Sequence, residues 1–92
     1  MQINGSIVLY KNEEELLKKA INSFLNTKLE VKLYLIDNSP TDDLKYLSKI
    51  DDRIEYIFNN ANLGFGKAHN IALRKSMENG VTYHLILNPD AY

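Results

Sequence analysis

Ile54-Glu55-Tyr56-Ile57-Phe58, then Asn59-Asn60-Ala61-Asn62-Leu63, then Gly64-Phe65-Gly66-Lys67-Ala68-His69-Asn70-Ile71-Ala72 is the stretch that decides the fold. The first five residues are rich in β formers and read as a strand. The asparagine-rich residues after them read as a polar loop. From about Phe65 to Glu78 the pattern turns helical, with Ala68, Ile71 and Ala72 on one side, and Asn79-Gly80 makes a good stop. Val81 to Leu87 returns as a strand, and Pro89 forbids its continuation as a central one. Strand, loop, helix and strand in that order make a βαβ unit.

The alternation extends back to the start. Ser6-Ile7-Val8-Leu9-Tyr10 is a continuous run of β formers and reads as a buried strand. Asn12 stands at an N-cap position, with Glu13, Glu14 and Glu15 favourable to the positive end of a helix. Leu16, Leu17, Ala20, Ile21, Phe24 and Leu25 follow at helical spacing and leave Lys18, Lys19 and Asn22 outward. Val31 to Ile36 reads as the next strand, ended by Asp37-Asn38-Ser39-Pro40; Thr41 or Asp42 then caps a short helix carrying Leu44 and Leu47. The order βαβαβαβ predicts the α/β class: a Rossmann-like, mostly parallel sheet with right-handed crossovers.

Composition narrows the function classes. Ninety-two residues, 45% apolar and 25% charged, suit one small globular domain spanning residues 1–92. A net charge of −1 with interspersed signs gives no basic patch for nucleic acid. The absence of cysteine removes disulfides, thiolate zinc sites and a cysteine nucleophile, and fits a cytoplasmic protein. No apolar run approaches the ~20 residues of a transmembrane helix, and no signal peptide is legible. Asn4-Gly5-Ser6 is formally a glycosylation sequon, read here as chance.

Parallel α/β sheets bind ligands at the carboxyl ends of their strands. Three polar clusters fall there: Asp37-Asn38-Ser39, the Asn59-to-Asn70 segment, and Asn88-Pro89-Asp90. Asp37 suits hydrogen bonds from a base or ribose, while Asp37 and Asn38 equally suit an Asx-turn. Gly64 and Gly66 let a backbone approach a ligand beside a helix start, or else serve tight helix–sheet packing. Neither a dinucleotide fingerprint nor a P-loop is present. His69 reads as a surface or packing residue, His84 as a structural or edge residue, and most tyrosines as packing residues. Asp90 is the best candidate for a divalent cation, since magnesium is typically held by one or two carboxylates plus phosphates; the alternative is a turn aspartate.

Taken together, these residues resemble the N-terminal half of a family-2 glycosyltransferase of the GT-A fold, most of all the bacterial rhamnosyltransferase-like branch. Ser6-Ile7-Val8-Leu9-Tyr10-Lys11-Asn12 is similar to the family's first strand and the Asn after it. Leu35-Ile36-Asp37-Asn38-Ser39 is similar to its Asp-Asn-Ser element, and Asn62 to Asn70 to its Asn-x-Gly-Phe-Gly-x-Ala-x-Asn signature. Leu87-Asn88-Pro89-Asp90 stands where the family has Asp-x-Asp or Asn-Pro-Asp. The resemblance implies a transferase that takes a nucleotide-sugar donor and an acceptor of unknown identity, as in cell-surface polysaccharide biosynthesis. It further implies that Tyr10, Asn12, Asp37 and Asn38 line the nucleoside pocket. Asn62, Gly64, Gly66 and Asn70 would border the nucleotide, and Asp90 would hold manganese or magnesium. Lys11 and Asn88 depart from the commoner pattern. The family's general base lies beyond the metal motif, so a truncated, donor-binding half that is inactive alone is expected. The other readings are a non-catalytic nucleotide-binding module and a self-associating fragment that pairs through an uncovered sheet edge.

Overall fold

In a computed structural model of the chain, which describes residues 2–10, 14–59, 64–80 and 83–87, a parallel sheet carries one helix on each face. The elements are β1 (Gln2–Leu9), α1 (Glu14–Leu25), β2 (Glu30–Asp37), a short 3-10 helix (Lys45–Lys49), β3 (Ile54–Phe58), α2 (Phe65–Glu78) and β4 (Tyr83–Leu87). The strand order is β3-β2-β1-β4, every pair parallel. The expected α/β, Rossmann-like architecture is therefore observed. The third strand and the second helix fall where the sequence puts them.

Side chains alternate across a strand, so each face has its own composition. On one face Ile7 and Leu9 of β1 and Val31, Leu33 and Leu35 of β2 pack against Leu17, Ala20, Ile21 and Leu25 of α1 and against Leu44 and Leu47. The apolar stripe of α1 is as the sequence spaced it, and Glu14 and Glu15 lie in its first turn. Gly5 is where α1 comes closest: a Cβ there would lie 2.8 Å from the Phe24 ring. On the other face Tyr34, Ile36, Ala68 and Ala72 form a smaller apolar cluster beneath α2. Asn4 lies buried on that side, so the sequon is an interior residue of β1.

Two expectations are corrected here. The short helix after β2 is of the 3-10 type, begins at Lys45 and follows Leu44, with no side-chain cap. Thr41 instead donates to the Asp43 carboxylate at 2.8 Å. Leu44 and Leu47, three residues apart, are both buried, which suits three residues per turn rather than 3.6. Lys18 also departs from expectation: it lies half-buried, 5.6 Å from the centre of the Tyr46 ring. At the other end of the sheet β4 is an edge strand among the described residues, and Tyr83, Leu85 and Ile86 are about half exposed.

Candidate functional site

At the carboxyl edge of the sheet three strand ends are joined to the start of α2. Leu9 lies beside Asp37, and Asp37 beside Phe58. The Asn38 N–H donates to the Leu9 carbonyl at 2.8 Å and the Asn59 N–H to the Asp37 carbonyl at 2.9 Å. These two bonds continue the ladder one residue past each strand.

Asp37 is fully buried. Its Oδ1 accepts the Ser39 N–H at 2.9 Å, the Asx-turn, and its Oδ2 accepts the Tyr56 hydroxyl. Each carboxylate oxygen retains a further lone pair. Burial, reinforced by the Asp37 carboxylate, holds the Tyr56 phenol well above its ordinary pKa, so Tyr56 stays a donor at neutral pH. Asn38 is the link to α2. Its Oδ1 accepts the Asn59 side-chain amide at 2.7 Å, and its Nδ2 donates to the Gly64 carbonyl at 3.3 Å.

Gly64 sits at the N-cap of α2 with φ 82°, in the left-handed region that favours glycine. Gly66 is exposed, in the first turn, and not in that region. A Cβ at either position would meet no described atom within 4 Å. Tight packing against the sheet is therefore not what requires these glycines. The space in front of both is open among the described residues.

Tyr10 lies exposed one residue beyond β1. Asn70 is exposed on α2, where it lines an open hollow of about 400 Å³ with Lys67, Ile71 and Arg74. Asp37, Asn38 and Tyr10 do not line that hollow. Asn12, Asn62 and Asp90 lie outside the described residues. Among the described residues no group of three or more His, Asp or Glu side chains gathers as a cation site, and Asp37 is engaged with two donors.

Sequence reasoning passed over Tyr56 as a site residue and gave Asn59 only as the start of a polar cluster. The signal for Tyr56 was available only through register: it pairs with Leu35, on the same face as Asp37 two residues on. His69, read as a surface or packing residue, is buried, and its Nδ1 lies 2.6 Å from Ser6 Oγ.

No curated protein sequence matches the chain. The sequence profile described as glycosyl transferase family 2 matches residues 6–92. That span takes in all three polar clusters and, from Ser6 onward, the four parallel strands. The α/β sheet is consistent with the Rossmann-like part of a GT-A fold, and the chain belongs to glycosyl transferase family 2.

Proposed function

We propose that this chain binds the nucleotide of a nucleotide-sugar donor at the carboxyl edge of its sheet, as the donor-binding half of a glycosyltransferase of the rhamnosyltransferase-like branch. The observation that carries the reading is the junction itself. In the buried Asp37–Asn38 pair Asn38 is hydrogen-bonded to Gly64 at the N-cap of α2, and a Cβ at Gly64 or Gly66 would meet no described atom within 4 Å. In this reading Asp37 uses its remaining acceptor capacity on the base or ribose, and Asn38 holds Gly64 in position. Tyr10 and Asn12 line the nucleoside. Asn62, Gly64, Gly66 and Asn70 border the phosphates, where the first N–H groups of α2 favour an anion. Asp90 holds a divalent cation, which when bound offsets the charge that develops on the leaving diphosphate. We assign none of these residues to the acceptor hydroxyl, so the chain on its own is expected to bind donor without transferring sugar.

Calorimetric titration with UDP and dTDP, with and without manganese, tests the reading. Metal-dependent binding that Asp90→Ala abolishes supports it, and no heat at millimolar nucleotide overturns it. Gly66→Ala separates binding from folding. Alanine there meets no described atom and favours the helix by roughly 0.5–1 kcal/mol, so the melting temperature should hold or rise. Affinity should nevertheless fall if the backbone touches the ligand.

A second reading rests on β4, whose Tyr83, Leu85 and Ile86 side chains are about half exposed at the sheet edge. Such an edge favours pairing with a second copy. Sedimentation over a wide concentration range distinguishes a dimer that Leu85→Lys disperses from a concentration-independent monomer.

A further inference from the structure

Between α2 and the sheet, five polar side chains form one continuous run of hydrogen bonds. Asn4 Nδ2 donates to Ser76 Oγ at 2.9 Å. Ser76 Oγ lies 2.6 Å from His84 Nδ1, and His84 Nε2 lies 2.9 Å from Ser6 Oγ. Ser6 Oγ in turn lies 2.6 Å from His69 Nδ1. The run joins β1, β4 and α2. Asn4, Ser6, His69 and Ser76 are buried and His84 is half-buried. Asn4 and His84 are register partners, and His69 and Ser76 are two turns apart on one side of α2.

Two sets of protons satisfy the run. Ser6 has one hydrogen and faces two imidazole nitrogens, so it donates to one and accepts from the other. Ser76 Oγ accepts from Asn4 and keeps a second lone pair, so its bond to His84 Nδ1 runs in either direction, by the His84 tautomer. With Ser76 as donor, His84 donates from Nε2 to Ser6 and Ser6 donates to His69 Nδ1; with the other tautomers all three bonds reverse. In either set both imidazoles are neutral. A proton added to His84 makes both ring nitrogens donors and displaces the hydrogen of the serine that had donated to it. Where Ser6 is the donor to His69 Nδ1, a proton added there displaces the Ser6 hydrogen in the same way.

The charged groups nearest the run are already paired with one another. From β2, Tyr34 stacks on His84 with ring centroids 6.5 Å apart, and Lys32 lies 5.2 Å from the centre of the same tyrosine ring. From β3 comes Glu55, already held at 3.2 Å by Lys32 and at 3.2 Å by Lys75 of α2. Among the described residues no carboxylate touches His84.

We propose that this run is an acid-sensitive latch: with both histidines neutral it fastens α2 to β1 and β4, and proton uptake releases the helix, together with the Gly64–Asn70 segment, from the sheet. Burial lowers the pKa of both imidazoles, and the proximity of His84 lowers that of His69 further. The folded values lie below the ordinary ~6.5, so the unfolded chain binds more protons. The stabilisation is complete above about pH 6.5 and is lost as pH falls from there through the lower folded values. The latch does not depend on whether the carboxyl edge binds a nucleotide.

Amide hydrogen exchange of the whole chain at pH 7.5 and 5.0, corrected for intrinsic rates, tests it. Protection of α2 amides should fall about ten-fold or more at pH 5.0, while β2 amides change by less than about three-fold. The double variant His69→Asn/His84→Gln removes both titrating groups and should lose that difference. Loss of protection in step across α2 and β2, or a difference that persists in the double variant, overturns the proposal. If the double variant does not fold, imidazole titration by NMR in the natural chain decides. Values below 6.5 for both rings, with release of α2 following them, support the latch, and titration of either ring at or above 6.5 overturns it.

Discussion

The two faces of the sheet are made from the same strands and are held by different physics. On β1, Gly5, Ile7 and Leu9 look toward α1, and Asn4 and Ser6 look toward α2. The α1 face is apolar up to its carboxyl edge, where Asp37 accepts the Tyr56 hydroxyl. Burial there is non-directional and tolerates small shifts of the helix. The α2 face has a small apolar cluster and the hydrogen-bonded run. Such bonds add modestly to stability but fix position, because a displaced partner leaves a buried polar group unsatisfied. The helix that starts at the candidate site is thus the one held by directional bonds. The first face keeps the chain folded, and the second sets where Gly64 to Asn70 sit.

The sharpest way to break this division is to remove bulk from the α1 face. Leu33 is fully buried at the centre of that cluster. Leu33→Ala should cost about 3 kcal/mol, as the transfer and cavity terms add. A chain of this size buries only about 60–65% of its unfolded surface, so that loss removes much of its stability. The urea midpoint should fall by about 2 M. A fall no larger than that of the polar-face variant below would mean the apolar face is not the main source of stability.

Ser76→Ala tests the other face. It leaves Asn4 Nδ2 and His84 Nδ1 without the partner they share. At pH 7.5 it should cost about 1–2 kcal/mol in urea unfolding. The cost should be smaller at pH 5.0, because the stabilisation from the run falls as pH drops below about 6.5. An equal cost at both values would show that Ser76 contributes only packing.

How much of this was legible in the sequence follows from the same contrast. The elements were readable because each ends in residues that act locally: Asp37 to Pro40, Asn79-Gly80, and the turn formers after Phe58. The apolar stripe of α1 was readable because its period lies within twelve residues. The polar face was not. Ser6 and His84 are 78 residues apart, and nothing at either position announces the other. Reading β1 as beginning at Ser6 also set Asn4 outside the strand, where it was noted only as part of a chance sequon. The Tyr56–Asp37 bond needed the register of β3 on β2, which no local pattern fixes. The short helix after β2 was placed too early because Thr41 and Asp42 look like caps, while Leu44 and Leu47 decide where burial begins.

Gly5→Ala probes how forgiving the apolar face is. The added methyl would meet the tip of the Phe24 ring at 2.8 Å, and that ring is only partly buried. A ring that swings aside limits the cost to about 1 kcal/mol. The expected result is a small fall in urea midpoint with α2 protection unchanged. A larger fall would mean that the position of α1 is fixed as tightly as that of α2.

The smallest expected effect is at the rim of the polar face. Glu55 bridges Lys32 and Lys75, and so ties β2 and β3 to α2 from outside. Burial works against the Glu55 charge, but the hydrogen bonds from Lys75 and Lys32 outweigh it and hold the carboxyl below its usual range. That stabilisation is present above about pH 4.3 and is lost as pH falls through the lowered folded value. All three side chains are about one-third exposed or more, so water and salt screen the pair. Lys75→Met should therefore cost about 0.5 kcal/mol or less at pH 7.5, and nothing measurable in high salt. Lys75 and Ser76 are neighbours on α2 and touch the same side of the sheet, so the pair isolates what holds the helix. If Lys75→Met cost as much as Ser76→Ala, surface charge would be holding α2 and the buried run would be incidental. A cost confined to Ser76 leaves the buried hydrogen bonds as the device that positions the helix.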